Sequence, residues 1–428
     1  MRPNGKNASL AVLVAVNILN FYDRNVVGAL AEPIRREFHL DDTQIGLLGS
    51  VFIWLYAIVG VPLGRIADRR SRKVLLACGM AAWSLLTAVA AMAGSYSMLL
   101  VSRLGFAVGE AVVAPTATSW IGDLFPATQR ARPLALFMIG VPAGAALTYF
   151  FSGSIAQAFG WRMAMVVAAA PALLLIPLLL RLDEPVRGAS DGGDAGPSGS
   201  IRAVLRIPTF WWIIASGALV NFSHYALGTF MPALLARVHH VTLAQSGVAT
   251  GIAYMSGGVA GSLLAGWLGD RVAIGSKSGR LRWGAAFALA GAPAAYFGIQ
   301  AESTAATVAL LAGFYLTLCA YSGFVYSSIQ DIVPPGARAT AMAVYFMAMY
   351  LCGASFGPVL TGKMSDLWAR RAADAAGSTV VSEAFRAIGL RQAMLVMPVL
   401  SVLLCAVLYM GSRTITRDIE LSKTRNCK

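Results

Sequence analysis

A chain of 428 residues that is 57% hydrophobic and 13% charged, with a mean hydropathy of +0.67, is too apolar for a soluble globular protein and reads as a polytopic membrane protein. The net charge of +14 would point to nucleic acid in a soluble chain. Here the Lys and Arg residues gather in short segments between apolar runs, where they orient a membrane protein, so no nucleic-acid partner is expected.

The lead Met1 to Lys6 is too short, and the apolar run after it too long, for a cleaved signal peptide, so the first run is expected to remain as an anchor. Runs of about 20 apolar residues, enough to cross a bilayer as a helix, fall near 9–33, 43–64, 73–94, 98–119, 133–157 and 162–181. A second set falls near 209–236, 244–269, 281–300, 304–330, 338–365 and 388–412. Between the sets, Asp183 to Ser200 has the Gly/Ser/Pro/Asp composition of a flexible linker. The expected fold is all-α with twelve membrane spans: a six-helix bundle over 1–182, a cytoplasmic linker over 183–206 and a second six-helix bundle over 207–428. The distribution of basic residues puts both termini in the cytoplasm, in the inner (plasma) membrane. Against that distribution runs the stretch between spans 11 and 12, read as a long loop, with Arg370, Arg371, Arg386 and Arg391.

Span 1 carries Asn17-Ile-Leu-Asn20-Phe-Tyr-Asp23-Arg24-Asn25 at its middle. An ionised side chain there costs on the order of 2.5–3.5 kcal/mol, so such residues face protein or a wet cavity. Asp23 and Arg24 are adjacent, point about 100° apart on a helix, and must each find a partner elsewhere.

After span 2 comes Gly64-Arg-Ile-Ala-Asp68-Arg69-Arg70-Ser-Arg72-Lys73, and after span 8 comes Gly266-Trp-Leu-Gly-Asp270-Arg271. Both hold Gly-x-x-x-Asp-Arg at the same place in each set of six, and chance does not respect such a repeat. The Asp can accept bonds from free helix N–H groups, the Gly permits close helix approach, and the Arg residues meet carbonyl ends and lipid phosphates. Gly64, Asp68, Arg69, Arg72, Asp270 and Arg271 are therefore the expected gating contacts.

Span 4 holds Arg103 and Glu110, seven apart and hence on one face, beside Gly105 and Gly109, which let a neighbouring helix approach. Apolar surroundings disfavour a charged Glu110 and a nearby Arg favours it, which makes it a proton carrier whose charge follows conformation. Asp23 and Glu110 are the expected proton-coupling pair, with Arg24 or Arg103 competing for them.

Twelve spans, a central linker and the repeated loop resemble the major facilitator superfamily. Asn20-Phe-Tyr-Asp23-Arg24, Arg103-Leu-Gly-Phe-Ala-Val-Gly109-Glu110-Ala111 and Ile121-Gly-Asp123-Leu124-Phe125-Pro126 are similar to its Spinster family of lysolipid transporters. The resemblance implies proton coupling at Asp23 and Glu110 and transport by alternating access.

In the second half, Asp23 maps onto Tyr225, on a helix face with Asn221 and His224, and the middles of spans 7 to 12 read as free of acids. Tyr254, Tyr315, Tyr321, Tyr345 and Tyr350, with Met342, Met347 and Met349, form an adaptable lining that suits a lipid tail. The expected substrate contacts are Arg24, Asn20, Arg103, Asn221, His224, Tyr225, Tyr254 and Tyr345. Spans 5 and 11, rich in Gly and Pro, are expected to flex.

The five cysteines are scattered, four of them in apolar runs, with no pair at metal or redox spacing; neither a disulfide framework, a metal site nor a cofactor is expected. No Gly-x-x-x-x-Gly-Lys-Ser/Thr loop or His-Glu-x-x-His motif speaks for a pump or an enzyme. The expected function is proton-coupled transport, by a monomer, of an amphipathic anionic lipid of lysophospholipid or sphingosine-phosphate type. The alternative is symport of a small organic anion such as a sugar acid.

Overall fold

The computed structural model describes residues 3–67, 70–126, 129, 131–186, 201–275, 278–333 and 337–426, which form helices and short connections with no β-strand among them. In chain order these are α1 (Pro3–Ala29), α2 (Ala31–Glu37), α3 (Asp42–Ala67), α4 (Arg72–Ala91), α5 (Tyr96–Glu110), α6 (Val113–Leu124), α7 (Ala131–Phe159) and α8 (Trp161–Leu180). There follow α9 (Ile201–Leu205), α10 (Pro208–Val238), α11 (Leu243–Gly275), α12 (Gly279–Gln300), α13 (Thr304–Ile332), α14 (Arg338–Met349), a π-turn (Tyr350–Ala354), α15 (Gly357–Ala375), α16 (Glu383–Met394) and α17 (Val396–Asn426). Ten helical stretches among the described residues are long and apolar enough to cross a membrane, and α10 and α12 occupy the places of spans 7 and 9.

Several predicted spans are broken, and proline explains where. A proline offers no N–H to the carbonyl four residues earlier and its ring presses on that turn. Counting back four from Pro33 reaches Ala29, the end of α1; from Pro115, Ala111, just past the end of α5; from Pro358, Ala354, the end of the π-turn; from Pro398, Met394, the end of α16.

The predicted long loop between spans 11 and 12 is mostly helix. Arg370 and Arg371 lie on α15, Arg386 and Arg391 on α16, leaving only 376–382 as a connection. Arg391 donates to the carbonyls of Ile299 and Gln300 at the end of α12. This basic residue binds free helix carbonyls instead of reporting orientation, which is why it ran against the charge count.

A second repeat stands at the starts of α3 and α11. His39 and His240 both take left-handed backbone angles (φ 52° and 54°), and each precedes a helix by the same interval. Asp41 and Gln44 exchange side-chain-to-backbone bonds of 2.7 and 2.9 Å at the start of α3, and Thr242 and Gln245 do the same at 3.3 and 3.0 Å at the start of α11. Both are capping boxes, which satisfy otherwise free N–H groups at a helix start.

The chain forms two compact units. Unit 1 comprises Met1–Leu40, Leu47–Asp194 and Val241–Gly251; unit 2 comprises Asp41–Gly46, Ala195–His240 and Ile252–Lys428. In unit 1, α1 and α7 cross where a Cβ on Gly144 would stand 2.3 Å from the Ile18 carbonyl oxygen. α4 and α5 cross through Gly79 and Gly109, each of whose Cβ atoms would stand 2.8 Å from the other's oxygen. In unit 2, buried Asp42 accepts two 2.8 Å bonds from Arg237 and one of 2.6 Å from Ser365, while Asp366 accepts from the N–H groups of Asp42 and Thr43. Asp366 lies in the body of α15, which continues to Ala375.

Of the gating residues, Arg72 is fully buried at the start of α4 and bonds Asp123, the Ser119 and Pro185 carbonyls and Glu184. Glu184 also accepts from the Ser71 hydroxyl and from the N–H groups of Arg72 and Lys73, so it serves the helix start as an anion. Burial works against its charge, but these bonds outweigh that and hold its carboxyl below the ordinary glutamate range. A lowered value contributes stability that is complete above the ordinary glutamate range and is lost as pH falls through and below it. The protection of the Arg72 and Lys73 amides against hydrogen exchange, relative to the intrinsic rate at each pH, is therefore expected to fall on acidification through that range, and Glu184→Ala should show low protection at every pH. Arg271 is exposed and stacks on Trp267 at 3.8 Å. Asp68 and Arg69 lie outside the described residues, as do the surroundings of Gly64 and Asp270 within α3 and α11.

Candidate functional site

Unit 1 brings Asn20, Asp23, Arg24, Arg103 and Glu110 together, all of them buried. The adjacent residues of α1 do part company. Arg24 donates from Nε to Glu110 Oε2 at 2.8 Å and reaches Asn20 Oδ1 at 3.5 Å. Asp23 Oδ2 accepts from the Trp83 indole at 3.0 Å. Arg103 donates to the Arg24 carbonyl at 3.3 Å, and so does not pair with Glu110 although both lie on one face of α5. Asn17, on the same stripe of α1 as Asn20 and Arg24, is spent on the Phe137 carbonyl at 2.7 Å.

Local sequence explains the placement. Gly79 and Gly109 let α4 press onto α5, which brings Trp83 to Asp23 beside Glu110. Glu110 ends α5 just before the break that Pro115 imposes, so its carboxylate sits at an interrupted helix, where transporters commonly build their sites. Both guanidinium groups lie over aromatic faces: Arg24 over Phe21, Tyr56 and Phe52 at 4.5, 4.6 and 5.2 Å, Arg103 over Phe106 and Phe52 at 4.4 and 5.1 Å. Such contacts stabilise a desolvated cation by up to about 2 kcal/mol. With two acids and two bases, the cluster is electrically balanced, and one proton added to either acid leaves it a net cation.

Trp83, Phe52 and Tyr56 were missed in the sequence. Each sits in an apolar run that reads as packing, and its role depends on which helix lies opposite.

Unit 2 gathers an aromatic group. Tyr254 stacks on Tyr315 with ring centres 4.0 Å apart, His224 lies 5.2 Å from Tyr315, and Tyr225 meets Tyr350 of the π-turn edge-on at 6.3 Å. Asn221 is engaged, donating to the Gly217 carbonyl at 2.9 Å and to Met349 Sδ at 3.2 Å. Tyr345 is fully buried and shares a hydroxyl chain with Tyr321 and Ser216.

The Major Facilitator Superfamily model matches residues 13–358. An MFS-type efflux pump of Mycolicibacterium smegmatis is 32% identical over 84% of each chain. Protein spinster homolog 3 of Danio rerio is 28% identical over 84% of this chain and 76% of its own. A probable L-galactonate transporter of Escherichia coli is 26% identical over 84% of this chain and 83% of its own. The crystal structure of a bacterial homologue of the human lysosomal transporter Spinster, 27% identical, superposes with a TM-score of 0.86 over 98% of this chain and 99% of that one.

Proposed function

Since the chain belongs to the major facilitator superfamily and is a Spinster-like membrane transporter, we propose that it is a proton-coupled carrier, working as a monomer, of an amphipathic anionic lipid of lysophospholipid or sphingosine-phosphate type. The observation that carries this reading is the buried ion pair between Arg24 and Glu110. A proton on Glu110 removes the charge that balances Arg24, and a lone guanidinium away from water is costly. An anionic head group beside Arg24 restores the balance, so proton and anion bind together. When the anion leaves, Glu110 gives up its proton and takes Arg24 back. Asp23, within electrostatic reach of both Glu110 and Arg103, shares the proton with Glu110. Conformational exchange between the two openings carries both across by alternating access.

The choice of a lipid is supported by the residue chemistry of unit 2, taken by itself. His224, Tyr225 and Tyr350 offer aromatic surface, whereas Asn221, Ser216, Tyr321 and Tyr345 already spend polar groups within the protein, and Met349 is buried and takes a bond from Asn221. A sugar needs many free hydrogen-bond partners, and an acyl chain needs none. The L-galactonate relative supports a second reading, in which Arg24 meets the carboxylate of a sugar acid.

Purified protein in proteoliposomes separates the two. Flux of long-chain lysophosphatidate is expected to rise when a pH gradient is imposed and to fall as the acyl chain is shortened. Asp23→Asn should lose the response to the gradient. Gradient-driven uptake of galactonate with no dependence on tail length would replace the lipid reading with the sugar-acid one.

A further inference from the structure

Of the four carboxylate oxygens that Asp23 and Glu110 bring to unit 1, two are held by N–H donors and two are not. Asp23 Oδ2 accepts from the Trp83 indole at 3.0 Å, and Glu110 Oε2 from Arg24 Nε at 2.8 Å. Asp23 Oδ1 and Glu110 Oε1 are buried with no hydrogen-bond partner among the described residues. The Trp83 N–H is thus the one side-chain donor that Asp23 meets among those residues.

An indole N–H donates and has no lone pair with which to accept. It can bond Asp23 Oδ2 when the carboxyl is charged, and also when Oδ2 is the carbonyl oxygen of the neutral acid. It opposes a proton on Oδ2 itself, so the proton that Asp23 takes up belongs on Oδ1. By the same reasoning the Arg24 bond leaves Oε1 as the oxygen of Glu110 that carries a proton.

The indole is held firmly in this place. Trp83 is fully buried, and a Cβ on Gly109, the residue before Glu110, would stand 2.9 Å from the Trp83 backbone nitrogen and 3.2 Å from its Cβ. The Thr87 hydroxyl closes the next turn of α4 onto the Trp83 carbonyl at 3.0 Å. A small cavity beside Arg103 has Thr87, Ser102 and Phe106 in its wall and does not take in Asp23.

We propose that Trp83 is a positioning residue for the coupled proton: its N–H holds Asp23 Oδ2, so that Asp23 takes up and releases its proton at Oδ1. The proposal rests on the reading that Asp23 and Glu110 share that proton. In the exchange, an O–H bond at Glu110 Oε1 breaks as one forms at Asp23 Oδ1. Glu110 becomes the anion that Arg24 binds, and Asp23 becomes a neutral acid whose carbonyl oxygen still accepts from Trp83. Within electrostatic reach of Asp23 are Glu110 and Arg103 on α5 and Tyr22 on α1, with Arg24 next in the chain, while Tyr56 on α3 meets Arg24. Besides α2, which follows α1 and pairs Glu32 with Arg35, the helices packed on α1 carry few ionisable residues: Asp123 on α6, Arg132 and Tyr149 on α7, and Arg162 on α8.

The test removes the donor and keeps the bulk. Trp83→Phe, and the full-length protein with benzothienylalanine at position 83, which has sulfur in place of N–H in a ring of the same shape, are reconstituted in proteoliposomes with long-chain lysophosphatidate as probe. The ratio of gradient-driven flux to counterflow at equal pH is expected to fall at least about tenfold in both, the scale of a lost hydrogen bond to a charged group. Infrared difference spectra identify the C=O band of protonated Asp23 by its loss in Asp23→Asn. That band should move to higher wavenumber in both variants, because the carbonyl oxygen no longer accepts a bond. A packing role would leave the benzothienylalanine protein like wild type, so an unmoved band and an unchanged flux ratio in that protein overturn the proposal. A wild-type protein that shows no such band at any pH, or whose lipid flux ignores the pH gradient while counterflow persists, overturns the coupling reading itself.

Discussion

Glu110→Gln is expected to leave a carrier that exchanges substrate between two equal compartments but no longer concentrates it down a pH gradient. The glutamine keeps an oxygen for the Arg24 Nε bond of 2.8 Å, so the local geometry is retained while the titrating charge is lost. Removing one charge of a buried pair leaves the other uncompensated, typically at about 3–5 kcal/mol. The resting protein should therefore melt earlier. An anionic ligand now supplies the only balancing charge that Glu110 once gave Arg24, so long-chain lysophosphatidate should raise the melting temperature of Glu110→Gln more than that of wild type. Arg24→Gln combined with Glu110→Gln removes both charges and should recover most of the stability without recovering transport. Gradient-driven accumulation by Glu110→Gln at the wild-type level would show that the coupled proton resides elsewhere.

Gly144→Ala is expected to damage unit 1 far more than its size implies. The added Cβ would stand 2.3 Å from the Ile18 carbonyl oxygen, 2.8 Å from the Phe21 Cβ and 3.0 Å from the Tyr22 nitrogen. Two of these neighbours are backbone atoms of an intact helix and cannot turn away. Forcing a methyl into such a contact costs about 1–3 kcal/mol, and the upper end applies where nothing can yield. As α1 and α7 separate, the Thr148 bond to the Tyr22 carbonyl at 2.7 Å and the Tyr22–Ser152 contact at 3.2 Å are strained, and Tyr22 immediately precedes Asp23 and Arg24. Gly313→Ala is the control: nothing lies within 4 Å of its added Cβ, and alanine for glycine inside a helix stabilises by about 1 kcal/mol. Thermal unfolding in detergent separates them, and equal melting temperatures for the two variants would contradict the tight crossing.

How much of this was legible depends on the kind of residue. Asp23, Arg24, Arg103 and Glu110 announce themselves because a charge in an apolar run is expensive wherever the helices lie, and unit 1 gathers all four. Their pairing was not legible. Spacing on α5 puts Arg103 and Glu110 on one face, yet Glu110 goes to Arg24 and Arg103 to a backbone carbonyl. The interruptions of the spans were legible in principle, since proline acts on the carbonyl four residues back. Some prolines break the helix, as at Pro115, and others stay inside it, as Pro142 does in α7, according to what neighbouring helices can satisfy.

By itself the sequence determined that this chain is a helical membrane protein of repeated halves with buried acids and bases, because hydropathy, charge and turn chemistry act locally and can be read residue by residue. Only the tertiary structure decided that Trp83 serves Asp23, that Glu184 and Asp123 hold Arg72, that Asp42 is neutralised by Arg237, and that a cavity lies beside Arg103. Those facts depend on which helices cross and at what height. Crossing is set by the summed shape of small and large side chains along whole helices, where no single residue carries the signal.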